Sequence, residues 1–203
     1  LMSDLSNLAR PATQPLRLLW VNPVNSPDYD AAIAALIASV KRPQTEVHVV
    51  SLDVPGPVRL TNLEWRALEA QIWLPVTEIA HYAGTNGFDG YAIGCFYDTA
   101  LDEAREVSGE AVVCAPCQSA LQIVSNLCNR FSVVIGKEKW RVQMQDRIRH
   151  YGYGDKLASF RAVDLHVDEF QADTARTEAA IRQAVREAVE IDKAEAVILG
   201  CTI

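Results

Sequence analysis

Two stretches decide how this chain is read: YAIGC at 91–95 and AVILGC at 196–201. Each is a short apolar run stopped by a glycine and then a cysteine. A run of this kind without polar alternation reads as a strand buried on both faces, as in parallel sheets covered by helices. Glycine at its end lets the backbone turn sharply or approach a ligand closely. In open parallel sheets ligands collect at the carboxyl ends of strands, so both cysteines emerge where chemistry is expected.

Working outward from YAIGC, the apolar run at 16–21 is followed by NPVNSPD and then by Ile33, Leu36, Ile37 and Val40 at the spacing of one helix face. Ser26 followed by Pro27 suits an N-cap with proline at the first helical position, where no amide hydrogen is needed. TEVHVVSL at 45–52 alternates and is rich in β-branched residues, a second strand, and VPGP at 54–57 is a loop. Residues 62–83 read as a helix that Pro75 could interrupt, with stop signals at 84–87, and 98–107 read as a short amphipathic helix. Between the two cysteine stretches, strands are expected at 111–115, 131–135 and 159–163, and helices at 119–127, 137–151 and 174–191. Alternating strands and helices make the class α/β, with parallel sheets flanked by helices.

The chain has 203 residues, 49% hydrophobic and 22% charged, which allows a sizeable core and excludes a mostly disordered reading. Residues 1 to about 15 read as a flexible leader, without the charged and apolar regions of a secretory signal. The longest aliphatic stretch, 31–40, is too short for the roughly 20 residues that span a bilayer, so no membrane partner is expected. Nineteen basic against 26 acidic residues give a net charge of −7, the wrong sign for a nucleic-acid partner. Five cysteines are an odd number for a disulfide framework and favour reduced thiols in a cytoplasmic setting.

Two thiols facing a carbon acid from opposite sides form an acid/base pair: one abstracts a proton, the other returns one. A free cysteine has a pKa of about 8.5, so one member has to be tuned downward, and a helix starting at Asp98 or Thr99 could supply that tuning with its amides. Taken singly, a cysteine at a strand end is more often a small buried hydrophobe.

CFYDTALDEAREV at 95–107 resembles the first cysteine motif of the aspartate/glutamate/hydantoin racemase superfamily, nearest its hydantoin and allantoin branch, whose pattern is C-F-x-D-P-x-L-x-x-A-R. LGCT at 199–202 resembles the second cysteine motif, and NPVNS at 22–26 resembles the N-P-N-T-S loop after the first strand. Residues 131–134 and LASFRAVD at 157–164 are similar to intermediate blocks of that branch. The resemblance implies two flavodoxin-like halves with the active site in the cleft between them. The first half would take 16–110, completed by the segment from about 195, and the second 111–194. Cys95 and Cys201 would be the catalytic pair, with no metal and no pyridoxal phosphate or other cofactor. Asn22, Asn25, Ser26, Phe96, Asp98, Thr99, Gln118 and Thr202 would line or contact a small-molecule substrate, a hydantoin, allantoin or an amino acid. A symmetric homo-oligomer would be ordinary for such a protein. Asparagine and serine after a strand serve equally as loop and cap residues.

This chain departs from the family pattern in four places. Thr99 replaces the proline of the first motif. CAPCQSA at 114–120 offers Cys117 or Gln118 where a glutamate is usual, and Ile135 and Gly136 stand where the hydantoin branch has two threonines. The pattern also continues past its second cysteine through a helix, strand and helix, whereas the sequence ends at Ile203.

Alternatives on the same fold are an aspartate/glutamate-type racemase, a related decarboxylase or cis-trans isomerase, and a non-catalytic small-molecule-binding protein. Cys114 and Cys117 form a C-x-x-C that also fits a thiol–disulfide oxidoreductase, although Pro116 is the last proline and no later cis-proline could face the pair. The basic run at 137–149, with Trp140 inside it, reads as a solvated helix face. Trp65, Leu68 and Trp73 read as core or subunit interface. The four histidines form no recognisable triad.

Overall fold

The structure, a computed structural model, describes residues 14–24, 26–54 and 66–202. Asn25, Trp65, most of the expected leader and of the VPGP loop, and the start expected for the helix at 62–83 lie outside these residues.

Leu16–Asn22 (β1) is flanked by Thr45–Ser51 (β2) and Gly90–Ile93 (β3), and Val112–Cys114 (β4) pairs with β3. All pairs are parallel, in the order β2-β1-β3-β4. A second parallel sheet has Phe131–Ile135 (β5) between Leu157–Ala162 (β6) and Ala196–Leu199 (β7), in the order β6-β5-β7. The two sheets repeat one arrangement, with β1 and β5 central and β3 and β7 in matching places. The amide of Gly94 donates to Val21 O at 2.7 Å, and that of Gly200 donates to Val134 O at 2.8 Å. The recurring glycine-cysteine ending is therefore one turn built twice, each time where a flanking strand leaves its central neighbour. Glycine is required by close approach: a Cβ at Gly94 would stand 2.5 Å from Trp20 Nε1, and one at Gly200 would stand 2.9 Å from Val133 Cγ1.

The helices are Asp30–Val40 (α1), Arg66–Thr85 (α2), Leu101–Val107 (α3), Pro116–Leu127 (α4), Arg141–His150 (α5), Val167–Phe170 (α6) and Thr174–Glu190 (α7). Ser26 caps a 3-10 turn, Pro27–Tyr29, that runs into α1, as its sequence predicts. Every residue of β5 is buried, which explains its apolar run, and its one polar residue, Ser132, is paired with Ser159 Oγ at 2.8 Å. No helix among the described residues is long and apolar enough to cross a membrane.

Three expectations change. Pro75 does not interrupt α2, because Ile72 before it and Val76, Ala80 and Ala83 after it are buried in the same core and hold one continuous helix. The helix expected from 98 begins at Leu101, since Asp98 and Ala100 take left-handed φ values of 50° and 57°. Finally, the strands do not sort as 16–110 plus 195 onward against 111–194. β4 completes the first sheet, and β7 pairs with β5 in the second, so the crossover falls along α4.

Candidate active site

Cys95 and Cys201 line one pocket at the carboxyl ends of β3 and β7. Pro23 and Val24, from the loop after β1, form one side. The stretch after β5 supplies the opposite side through Trp140 and Met144, with Val167 beyond them. The hydroxyl of Thr202 donates to Gly94 O at 2.8 Å, so the residue after the second cysteine is tied to the residue before the first. This bond joins the two cysteine turns directly across the sheets.

Burial pushes the Cys95 thiol up to about 12, and the nearby Glu69, Cys201 and Asp98 add to the rise, opposed only by the Tyr97 amide. The downward tuning expected from a helix start at 98–99 is absent. That helix begins later, and Ala100 at its N-cap makes no side-chain capping bond. The carboxylate of Asp98 instead accepts from the amides of Cys117 at 2.9 Å and Gln118 at 2.8 Å, at the start of α4, and from the Tyr151 hydroxyl at 2.9 Å. Asp98 thus caps the following helix rather than its own, and lies wholly buried. Burial raises its carboxyl, partly offset by these three donors and by Arg147. Glu69, on α2, is also buried and raised by burial. It accepts from Thr99 Oγ1 at 3.0 Å and from the Gln143 side-chain amide, with Arg147 3.9 Å away. A buried polar cluster therefore fastens the loop after Cys95 to α2, α4 and α5, and places two carboxylates behind the sulfur.

Of the expected site residues, Cys95, Phe96, Cys201 and Thr202 line the pocket. Asn22 and Ser26 do not. The Asn22 amide donates to Ser51 Oγ at 3.0 Å and to Ser26 O at 3.4 Å, while Ser26 Oγ donates to Asp28 Oδ2 at 2.7 Å. Both order the loop that delivers Pro23 and Val24, and Asn22 Oδ1 is left buried without a partner. Thr99 and Asp98 serve the buried cluster, and Gln118 accepts from Arg105 at 2.6 Å outside the pocket. Asn25 lies outside the described residues.

Sequence reasoning missed Tyr97, Trp140, Met144 and Val167. Trp140 and Met144 stand four residues apart, the one available signal that both share a helix face. In the C-x-x-C pair, Cys114 is exposed, whereas Cys117 is buried and its thiol is pushed up by burial and by Asp98. Among the described residues no three His, Cys, Asp or Glu side chains come together as a metal site.

The family model for Asp/Glu/Hydantoin racemase matches residues 18–203. The hydantoin racemase of Pseudomonas sp. (strain NS671) is 28% identical over 187 residues, covering 92% of this chain and 73% of that protein. The hydantoin racemase of Paenarthrobacter aurescens is 28% identical over 186 residues, covering 92% of this chain and 77% of its own. Among solved structures, the allantoin racemase from Klebsiella pneumoniae superposes with a TM-score of 0.83 at 26% identity, over 92% of this chain and 74% of that one. The chain belongs to the Asp/Glu/Hydantoin racemase family, on the side of its hydantoin and allantoin racemases.

Proposed function

We propose that the chain is a cofactor-independent racemase in which Cys95 and Cys201 exchange protons with a carbon next to a carbonyl, the C5 of a hydantoin or of allantoin. One observation carries this reading: the two cysteines come from equivalent turns, line a single pocket, and their turns are joined by the Thr202–Gly94 bond. In one direction the Cys201 thiolate takes the C5 proton, the electron pair moves into the adjacent carbonyl, and the Cys95 thiol delivers its own proton to the opposite face. The site is left with the thiolate on Cys95, ready for the reverse reaction. Burial and the two carboxylates behind Cys95 favour keeping the proton there in the resting site, with one negative charge shared by the coupled pair.

The pocket walls favour a neutral ring over a free amino acid. Among the described residues no lysine or arginine lines the pocket to pair with the α-carboxylate of aspartate or glutamate, and burying that charge unpaired is unfavourable. A ring with amide groups carries no such charge. Phe96 and Thr202 are the substrate contacts in this reading, while Asn22, Ser26, Asp98 and Thr99 hold the loops in place.

The test is proton exchange in D2O, followed by NMR and polarimetry, on a panel of 5-substituted hydantoins, allantoin, aspartate and glutamate. Deuterium entry at C5 with loss of optical rotation is expected for a hydantoin or allantoin, and it should survive dialysis against a chelator without added pyridoxal phosphate. Saturable binding without exchange would overturn the reading.

A further inference from the structure

Trp140 lines the cysteine pocket yet takes part in none of the proton steps. Its side chain is almost wholly buried, and its Nε1 has no hydrogen-bond partner, so packing alone positions the ring. Gly136 makes the room: a Cβ there would stand 2.3 Å from Trp140 Cζ3 and 2.4 Å from Cη2, closer than real side chains approach. On the other side Phe170 meets the indole edge to face, with centroids 6.4 Å apart at 87°. Gly136 and Phe170 in turn wall a second hollow of about 510 Å³ that runs along α7 to Gly200 and Cys201. The cysteine pocket holds about 50 Å³. The indole thus lines the narrow space that holds both cysteines and packs against Gly136 and Phe170, which wall the wide space that reaches Cys201.

We infer that Trp140 determines the specificity of this pocket by confining the substrate to a flat ring with a short substituent. The inference rests on the racemase reading above. A volume of about 50 Å³ corresponds to about three to five waters, room on the order of a five-membered ring but not for an aromatic group beside it. Shortening the indole opens the narrow space toward Gly136 and Phe170 and provides that room. Because no hydrogen bond holds the ring, phenylalanine at 140 keeps an aromatic wall, whereas leucine does not.

The experiment measures kcat and KM for racemisation of 5-methyl- and 5-benzylhydantoin by the wild-type chain, Trp140→Leu and Trp140→Phe, with thermal unfolding to show that each variant is folded. The wild type is expected to favour the methyl compound. Trp140→Leu should raise the benzyl-to-methyl ratio of kcat/KM by about tenfold or more, mainly through KM, and Trp140→Phe should keep the wild-type order. Equal wild-type rates on both compounds, or a Trp140→Leu change that scales both alike, would overturn the inference; the wild-type ranking decides by itself if the leucine variant does not fold. Absence of racemisation of any hydantoin by the wild type would strike the racemase reading instead.

Discussion

Replacing Thr202 with valine removes one hydroxyl and keeps the side chain's shape, and that hydroxyl is the donor joining the two cysteine turns at 2.8 Å. A hydrogen bond of this kind contributes about 0.5–1.5 kcal/mol net, and leaving the Gly94 carbonyl without its donor in a partly buried place moves the loss toward about 2 kcal/mol. If the bond serves only stability, the loss appears as a lower Tm and the rate is untouched. If it holds the sulfurs at their working separation, the same energy appears in the barrier, about 2- to 30-fold in kcat at about 1.4 kcal/mol per factor of ten. Proton transfer is sensitive to placement, so the larger figure is expected. Circular dichroism of a single hydantoin enantiomer gives kcat and KM separately, and Thr202→Ser, which keeps the donor, should recover most of the rate. A Thr202→Val enzyme with wild-type kcat would refute the claim that this bond sets the geometry of the pair.

Three further outcomes follow from the same structure. Gly94→Ala should destabilise by about 1–3 kcal/mol in urea titration, because the new Cβ meets Trp20 Nε1 at 2.5 Å and Val21 O at 2.9 Å; Gly200→Ala, whose nearest atoms are at 2.9 and 3.1 Å, should lose less, and the reverse order would contradict the packing described. Glu69→Gln removes a negative charge that raises the Cys95 pKa, and Cys95 is the acid of the resting pair, so the falling limb of the pH–kcat/KM profile should move to lower pH; an unmoved limb would show that Glu69 does not act on the thiol. The same substitution has a sign in stability: the Glu69 carboxyl is raised by burial, so its contribution is complete below its ordinary value near 4.5 and is lost as pH rises through the folded value. Denaturation of the wild type relative to the variant between pH 4 and 7 should show that loss.

Much of the scaffold could be read from the chain because several of its strands are short apolar runs followed by glycine, and β5 at 131–135 and β7 at 196–199 fall where the pattern places them. The repeated glycine-cysteine ending was legible for the same reason, and it locates the pocket. What stayed hidden depends on tertiary placement. The segment 137–149 is dominated by charge, so Trp140 and Met144 read as part of a solvated face, although one side of it is buried against the cysteines. Asp98 reads as the start of its own helix, but a left-handed turn sends its carboxylate to amides about 20 residues further along. Glu69 carries no local signal at all, since its partners come from the loop after β3 and from α5. The membership of β4 and β7 depends on which strand edge each meets, which short apolar runs do not encode.

The most direct test of the paired-cysteine claim is to follow each enantiomer of one hydantoin separately in D2O with the wild type, Cys95→Ala and Cys201→Ala. The account predicts that the wild type converts both enantiomers with deuterium appearing in the product. Each alanine variant should fail to invert the centre, with any remaining exchange confined to one enantiomer and proceeding with retention. Racemisation at the wild-type rate by either variant would contradict it.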